Sequence, residues 1–411
     1  MKILVWNECY TSGGADWSLI DLVESWPDKN DSFLIYINET HEGLNLVKEK
    51  TKGRAEVKTY KSFMERVLHL RTFKPFEFTV QKFGQSGKIP LWLLAGPLSL
   101  LSSFFLISKK NCDVLILNNG GYPGGLSNFI MAFWATLKGI KKRYMIVRNY
   151  PLKTYETCRR IRFFKWFSEK TLVKIITVSN SLKDCLQEKA NIKETMLQRI
   201  YNGINIENKI IAYQSNAFSS FSSIEYKVGI IGNLEERKGH DTLFQAWASI
   251  ITKYPKAKLF VFASSKSGDK KKLVNLAKKL NISHSIVWFE FMKNIGEAYK
   301  FLDVVVMPSK NFESFGRIIV EAMAFGKPII ASNIGGMPEL IENEKDGILF
   351  EAGNVQKLTY SINKLLESKE LRKTISSNGT IKYHSYYTSK VMAQNYYDFI
   401  NNKPLSDNTS L

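Results

Sequence analysis

Two glutamates, Glu313 and Glu321, stand in the stretch "FESFGRIIVEAMAFG", Phe312 to Gly326. Ile318, Ile319, Val320, Ala322, Met323 and Ala324 predict a buried helix around the second. A carboxylate inside such a run is costly unless it is paired or hydrogen-bonded. The helix is expected to give Glu321 no basic partner, so its partner is expected outside the chain. Glu313 falls in the loop ahead of the helix, where Ser314, Phe315 and Gly316 would offer backbone N–H groups. One carboxylate in a loop, another in a helix and amides between them suit a polyol carrying a diphosphate. A charged hydrogen bond is worth roughly 1.5–3 kcal/mol, so two to a ribose diol would offset much of the burial cost. The plainer alternative is a glutamate held by a backbone N–H or a distant Arg.

A second stretch, "GNLEERKGHD", follows the apolar run "VGII". Gly232 and Gly239 flank a polar loop, and a helix is expected from about His240. Such a loop at a helix N-terminus attracts phosphate, because unpaired N–H groups and the helix dipole face the anion. Lys238 and Arg237 would add charge-assisted bonds. The alternative is a surface turn with solvated charges. The chain has no Asp-x-Asp triplet, so no metal clamp is expected; cations and a helix end would stabilise a leaving diphosphate instead.

The elements that must position these residues alternate between apolar strands and amphipathic helices, the pattern of parallel α/β architecture. "KILVW", "SFLIYI", "AEVKTY", "DVLIL", "RYMIV" and "KIITVS" predict the strands of a first domain over about 1–205. Ser- and Asn-rich residues 206–225 read as a linker. "KVGIIGN", "AKLFVFA", "SIVWF", "DVVVMPS" and "KPIIAS" predict a second parallel sheet over 226–384. An aromatic helix at about 385–401 is expected to cross back to the first domain, and 402–411 to be a disordered tail. The fold class expected is α/β, with two doubly wound Rossmann-like domains facing across a cleft. Ligands of open α/β sheets bind beyond the carboxyl ends of the strands, where both stretches fall.

The chain has 411 residues and a formal net charge of +20, from 58 basic and 38 acidic residues. So strong a bias implies attraction to nucleic acid, nucleotide phosphates or an anionic membrane. Nucleic-acid binding would explain the charge but not the two glutamates, and no nucleic-acid partner is expected. Cys9, Cys112, Cys158 and Cys185 have neither zinc-type nor disulfide-framework spacing, which suits a reduced, cytoplasmic setting. "MKILVWNECY" lacks the apolar region of a signal peptide. Ile89 to Ile107 runs without a charge but holds Pro90, Gly96 and Pro97. It reads as a transmembrane, an interfacial or a buried helix. The basic and aromatic run from Lys61 to Lys88, and "CRRIRFFKWFSEK", suit the face of an anionic bilayer. The second of these also suits a helix with its aromatics in the core.

"FESFGRIIVEAMAFGKPIIASNIGGMPELI" resembles the retaining glycosyltransferases of family 4, which have the GT-B fold. The spacing of the two glutamates, "GKPIIAS" and "GGMPELI" carry the resemblance. "GGADWSL", "IITVSNSLKDCL", "IYNGINIE" and "GNLEERKGHD" extend it over most of the chain. The resemblance implies that Glu321 holds the donor's ribose hydroxyls. It implies that Glu313 meets the transferred sugar beside Ser314 and the Phe315 and Gly316 amides, that Lys238 binds the diphosphate, and that Gly13 and Gly14 approach the donor from the first domain. Backbone near Phe291 and Met292 would meet the base. The chain departs from the family at Asn233, where Arg is usual, so the diphosphate would lean on Lys238 and Arg237. It departs again after "RYMIV", where a His is often found and Arg148 stands, followed by Asn149. Arg148 therefore joins Glu313 and Lys238 as a catalytic candidate.

What the resemblance implies is transfer of a sugar, with retained configuration and no metal or other cofactor, from a UDP- or GDP-sugar to a lipid-linked or oligosaccharide acceptor in bacterial surface polysaccharide assembly. The protein is expected on the inner face of the cytoplasmic membrane. The rivals are a nucleotide-sugar epimerase of the same fold and a non-catalytic membrane-associated subunit.

Overall fold

The computed structural model describes residues 1–8, 12–60, 104–108, 110–151, 159–207, 216–221, 223–263, 270–290 and 295–405. They divide into two compact units. The first takes Met1–Val178, Lys183–Ile200 and Tyr396–Pro404; the second takes Ser179–Leu182 and Tyr201–Asn395.

The first unit holds β1 (Lys2–Glu8), β2 (Ser32–Asn38), β3 (Ala55–Tyr60), β4 (Val114–Gly121), β5 (Lys142–Asn149), β6 (Lys174–Thr177) and β7 (Leu197–Arg199). They pair in the order β3-β2-β1-β4-β5-β6-β7, every neighbour parallel. The apolar middles of β1, β4 and β5 are fully buried, as parallel strands covered on both faces require. The helices in and around this sheet are α1 (Gly14–Glu24), α2 (Leu44–Lys50), α3 (Leu126–Leu137), α4 (Arg159–Thr171) and α5 (Asn180–Ala190). β5 runs on through Arg148 and Asn149, two residues beyond the strand expected from "RYMIV". The short β7 had no apolar run to announce it.

The second sheet holds β8 (Lys227–Ile231), β9 (Lys258–Phe262), β10 (Ile286–Phe289), β11 (Val304–Met307), β12 (Ile329–Ser332) and β13 (Ile348–Phe350). Its order, β10-β9-β8-β11-β12-β13, is again parallel throughout. Strand order reverses between β8 and β11, so the loops after these two strands flank the switch point where doubly wound sheets bind ligands. The helices are α6 (His240–Lys253), α7 (Lys270–Lys279), α8 (Ile295–Phe301), α9 (Arg317–Ala324), α10 (Val355–Glu367) and α11 (Lys369–Lys382). Leu243, Phe244, Trp247 and Ile250 of α6 pack with Leu358, Ile362 and Leu365 of α10 in one core with the sheet.

Part of the expected linker is structured. Asn216–Phe221 forms a 3₁₀ helix, and Phe218 stacks on Phe301 with centroids 4.4 Å apart. Phe221 meets Phe260 and Phe289. The two phenylalanines thus cover aromatic side chains of the second sheet, which the Ser-rich composition concealed. At the other end, α12 (Ser389–Ile400) follows a π-helical turn at Tyr383–Tyr387. From Tyr396 on, the chain belongs to the first unit: Tyr397 meets Trp26, and Phe399 meets Tyr144. Asn402 and Lys403 close this helix with backbone bonds to Phe399 and Asp398. Residues 406–411 of the expected tail lie outside the described residues, as do Lys61–Lys88 and most of Ile89–Ile107.

Candidate active site

The loop after β8 is shaped by two glycines in the left-handed region. Gly232 has φ +150 and donates its N–H to the Phe262 carbonyl at 3.0 Å. Gly239 has φ +72, and a Cβ there would lie 1.8 Å from the Pro308 carbonyl oxygen. Only glycine lets the loop close on the end of β11 this tightly. Between them Glu236–Lys238 makes a 3₁₀ turn, and α6 begins at His240. The Lys310 N–H donates to the Arg237 carbonyl at 2.8 Å, which ties this loop to the one after β11.

That second loop carries Glu313. Its carbonyl accepts from the Gly336 N–H at 2.9 Å, and a Cβ on Gly335 would lie 2.3 Å from the same oxygen. "GGMPELI" is therefore the backing of the Glu313 loop. Gly316, at φ +100, caps α9. The Glu313 carboxylate accepts from Lys238 Nζ at 2.6 Å and from Arg237 Nη1 at 3.3 Å. Arg237 also donates Nε to Glu235 at 2.6 Å, and Asn233 Nδ2 reaches Glu235 at 3.4 Å. Burial pushes the Glu235 carboxyl up, but the charge and hydrogen bond of Arg237, with Asn233 and Lys238, hold it below the usual carboxylate range. The two expected stretches thus meet as one cluster: Asn233, Arg237, Lys238, Glu313, Ser314, Phe315 and Gly316. Asn233 occupies itself with Glu235 rather than standing in for an arginine.

Glu321 overturns one expectation. Its partners are within the chain. Tyr299, on α8, donates its hydroxyl to Glu321 Oε2 at 2.8 Å. Arg317, one helical turn earlier, places Nη2 3.8 Å from Oε1. The basic residue four positions back is the signal in the sequence that predicts this pair. Tyr299 is fully buried, and its ring lies flat on Phe325 at 5.2 Å. Burial, and then the neighbouring Glu321 charge, keep the phenol protonated well above its ordinary range.

His240 is buried beside this cluster in sequence, and neither ring nitrogen has a hydrogen-bond partner. Burial drives its pKa down to about 4. Glu339, within "GGMPELI", accepts from the Asn180 and Ser181 N–H groups at 2.7 Å each and from the Tyr201 hydroxyl at 3.0 Å. These three donors belong with Glu339 to the second unit, a set of bonds the sequence reading missed.

Gly13, Gly14 and Arg148 belong to the first unit. Gly13 caps α1, and its N–H donates to Asp16 at 3.1 Å. Asp16 is buried against His41 Nε2 at 3.3 Å, and burial raises its pKa despite that neighbour. Arg148 is buried, donating Nε to Asn118 Oδ1 at 3.0 Å, while Asn118 donates to Asn7 at 2.7 Å. A polar row thus crosses β1, β4 and β5. Met292 and Phe291 lie outside the described residues.

Two parallel α/β units of this topology define the GT-B fold. The structure is similar over 98% of its length to that of Anabaena Alr3699/HepE in complex with UDP, covering 100% of that chain at 20% identity with a TM-score of 0.75. Residues 216–382 match the family model described as glycosyl transferases group 1. An uncharacterized glycosyltransferase of Haemophilus influenzae is 26% identical over 309 residues, 72% of this chain and 81% of its own. The capsular polysaccharide biosynthesis glycosyltransferase CapM of Staphylococcus aureus is 26% identical over 315 residues, 72% of this chain and 78% of its own.

Proposed function

We propose that this glycosyltransferase moves a sugar, with retained configuration and without a metal, from a nucleotide diphosphate sugar to a lipid-linked or oligosaccharide acceptor. The observation that carries the reading is the clasp of Lys238 and Arg237 on Glu313 at the switch point of the second sheet. The donor's diphosphate would take Lys238, with Arg237 beside it, and free Glu313 to meet the sugar. The N–H groups at the start of α9 would add to the phosphate field. As the bond from the anomeric carbon to the phosphate oxygen breaks, its electrons leave with the nucleoside diphosphate. Positive charge grows on the sugar. The acceptor hydroxyl bonds to the same face and passes its proton to the departing phosphate oxygen. The two cations do at the leaving group what a metal does elsewhere, and Glu321 would hold the ribose hydroxyls.

The UDP held by HepE favours a UDP-sugar over a GDP-sugar. The likeness to CapM favours surface polysaccharide assembly. Membrane contact has its own support. On α4, Arg162, Phe163, Trp166 and Lys170 are exposed, while Phe164 and Phe167 pack on Phe129. A basic and aromatic outer face over an aromatic inner one suits an anionic bilayer. Among the described residues no helix is long and apolar enough to cross a membrane.

Thermal-shift titration with UDP-, GDP- and ADP-sugars tests the donor reading. Stabilisation by one nucleotide class, lost in Lys238→Ala, is the expected result. No stabilisation by any of them contradicts it.

A further inference from the structure

We infer that Tyr299 is a positioning residue: by donating its hydroxyl to Glu321 it fixes the tilt of the carboxylate that meets the ribose, and so sets the preference for ribonucleotides. The inference rests on the reading of Glu321 as the ribose ligand.

The geometry leaves the phenol little freedom. Tyr299 is fully buried on α8, its ring stacked on Phe325 with 3° between the planes. Phe325 in turn sits one turn beyond Glu321, and its N–H bonds the Glu321 carbonyl at 3.1 Å. Phe325, fixed to the end of α9 by that backbone bond, therefore backs the Tyr299 ring from α9 while the hydroxyl reaches Oε2 from α8. A glutamate side chain alone rotates about several bonds. Two hydroxyls of a diol are recognised together only if the carboxylate plane is set before they arrive. Arg317, at 3.8 Å from Oε1, supplies charge but not that constraint. The hydroxyl of Tyr299 supplies it, because a protonated phenol facing a carboxylate can act there only as donor.

The test is calorimetric titration with UDP and GDP and with their 2′,3′-dideoxy counterparts. Wild type, Tyr299→Phe, Glu321→Gln and the double variant are compared, each checked for an intact melting transition. Wild type is expected to bind one ribonucleotide at least about tenfold more tightly than its dideoxy form, as charged hydrogen bonds to the diol imply. Tyr299→Phe should lose most of that ratio while binding the dideoxy form as wild type does. In the Glu321→Gln background it should change nothing further. Should Tyr299→Phe fold poorly, Phe325→Leu, which loosens the ring and keeps the hydroxyl, should lower the same ratio in part. A full ratio in the folded variants, or an equal loss for both nucleotides, overturns the inference alone. A wild type that binds but does not distinguish the sugars overturns the ribose role of Glu321 and the inference with it.

Discussion

Lys238 Nζ and Glu313 Oε2 stand 2.6 Å apart, joining the loop after β8 to the loop after β11 across the switch point of the second sheet. Both side chains are mostly shielded from solvent, so the pair is a stronger element than a surface ion pair. Lys238→Ala is expected to lower kcat/KM by about 10²–10³, the loss typical of a group that stabilises charge at the reacting centre. Steady-state kinetics on the donor checks this; wild-type turnover refutes the assignment.

Asn233 bonds Glu235 at 3.4 Å, at the long end of hydrogen-bond range. Asn233→Arg would bring a second guanidinium to the loop. In the Lys238→Ala background it should recover part of the lost turnover, and in wild type it should tighten binding of the nucleoside diphosphate. Kinetics of the double variant decides; no recovery means the loop does not present this position to phosphate.

Glu321→Gln should weaken nucleoside diphosphate binding with little effect on the melting temperature. The amide still offers an acceptor to the Tyr299 hydroxyl, so the buried bond survives while the charge is lost. Unchanged affinity in the folded variant rules the ribose role out.

Gly239→Ala would force a side chain into φ +72 and within 1.8 Å of the Pro308 carbonyl oxygen. Backbone strain of this kind costs roughly 1–3 kcal/mol before the clash is counted. The expected result is a lower melting temperature together with weaker nucleotide binding, because Lys238 is the preceding residue. A variant with wild-type stability and affinity contradicts the tight closure of the two loops.

His240 gives a pH dependence. Its folded pKa of about 4 lies below its ordinary 6.5, so the unfolded chain binds the extra proton first as pH falls. Stability is therefore unaffected above about 6.5 and is lost as pH drops from there toward 4. The contribution is about 3 kcal/mol at most, at about 1.4 kcal/mol per pH unit. Denaturant midpoints between pH 7 and 4.5 should fall more steeply for wild type than for His240→Leu. Parallel curves contradict this.

Sedimentation with vesicles of anionic lipid tests the membrane reading. Binding should be strong at low salt, fade at high salt as screening shortens the field, and weaken in Phe163→Ser/Trp166→Ser. Indifference to vesicles at low salt makes a soluble acceptor the better account.

Most of the strand pattern was legible because parallel strands buried on both faces read as unbroken apolar runs, as "KVGII" and "DVVVM" do. The loops after β8 and β11 were legible because their glycines and charges follow those runs. What escaped was long-range. Tyr299 meets Glu321 from another helix, and nothing in "IGEAYKF" marks its hydroxyl for a carboxylate. Arg317 was within reach of a spacing argument, since it stands one turn before Glu321 on α9. Glu339 is joined to Asn180 across 159 positions, a separation no local pattern spans. Phe218 and Phe221 sat in a Ser-rich stretch, where composition spoke for a linker and only the aromatic cluster shows their packing.

Transfer from a nucleotide sugar with retained configuration leaves its mark on the anomeric carbon. Nuclear magnetic resonance of slow donor hydrolysis by the purified protein reads which anomer of the free sugar appears first. The donor's own anomer is expected, with loss of the signal in Lys238→Ala. The inverted anomer, an isomerised nucleotide sugar, or no turnover and no binding of any nucleotide sugar would contradict such transfer.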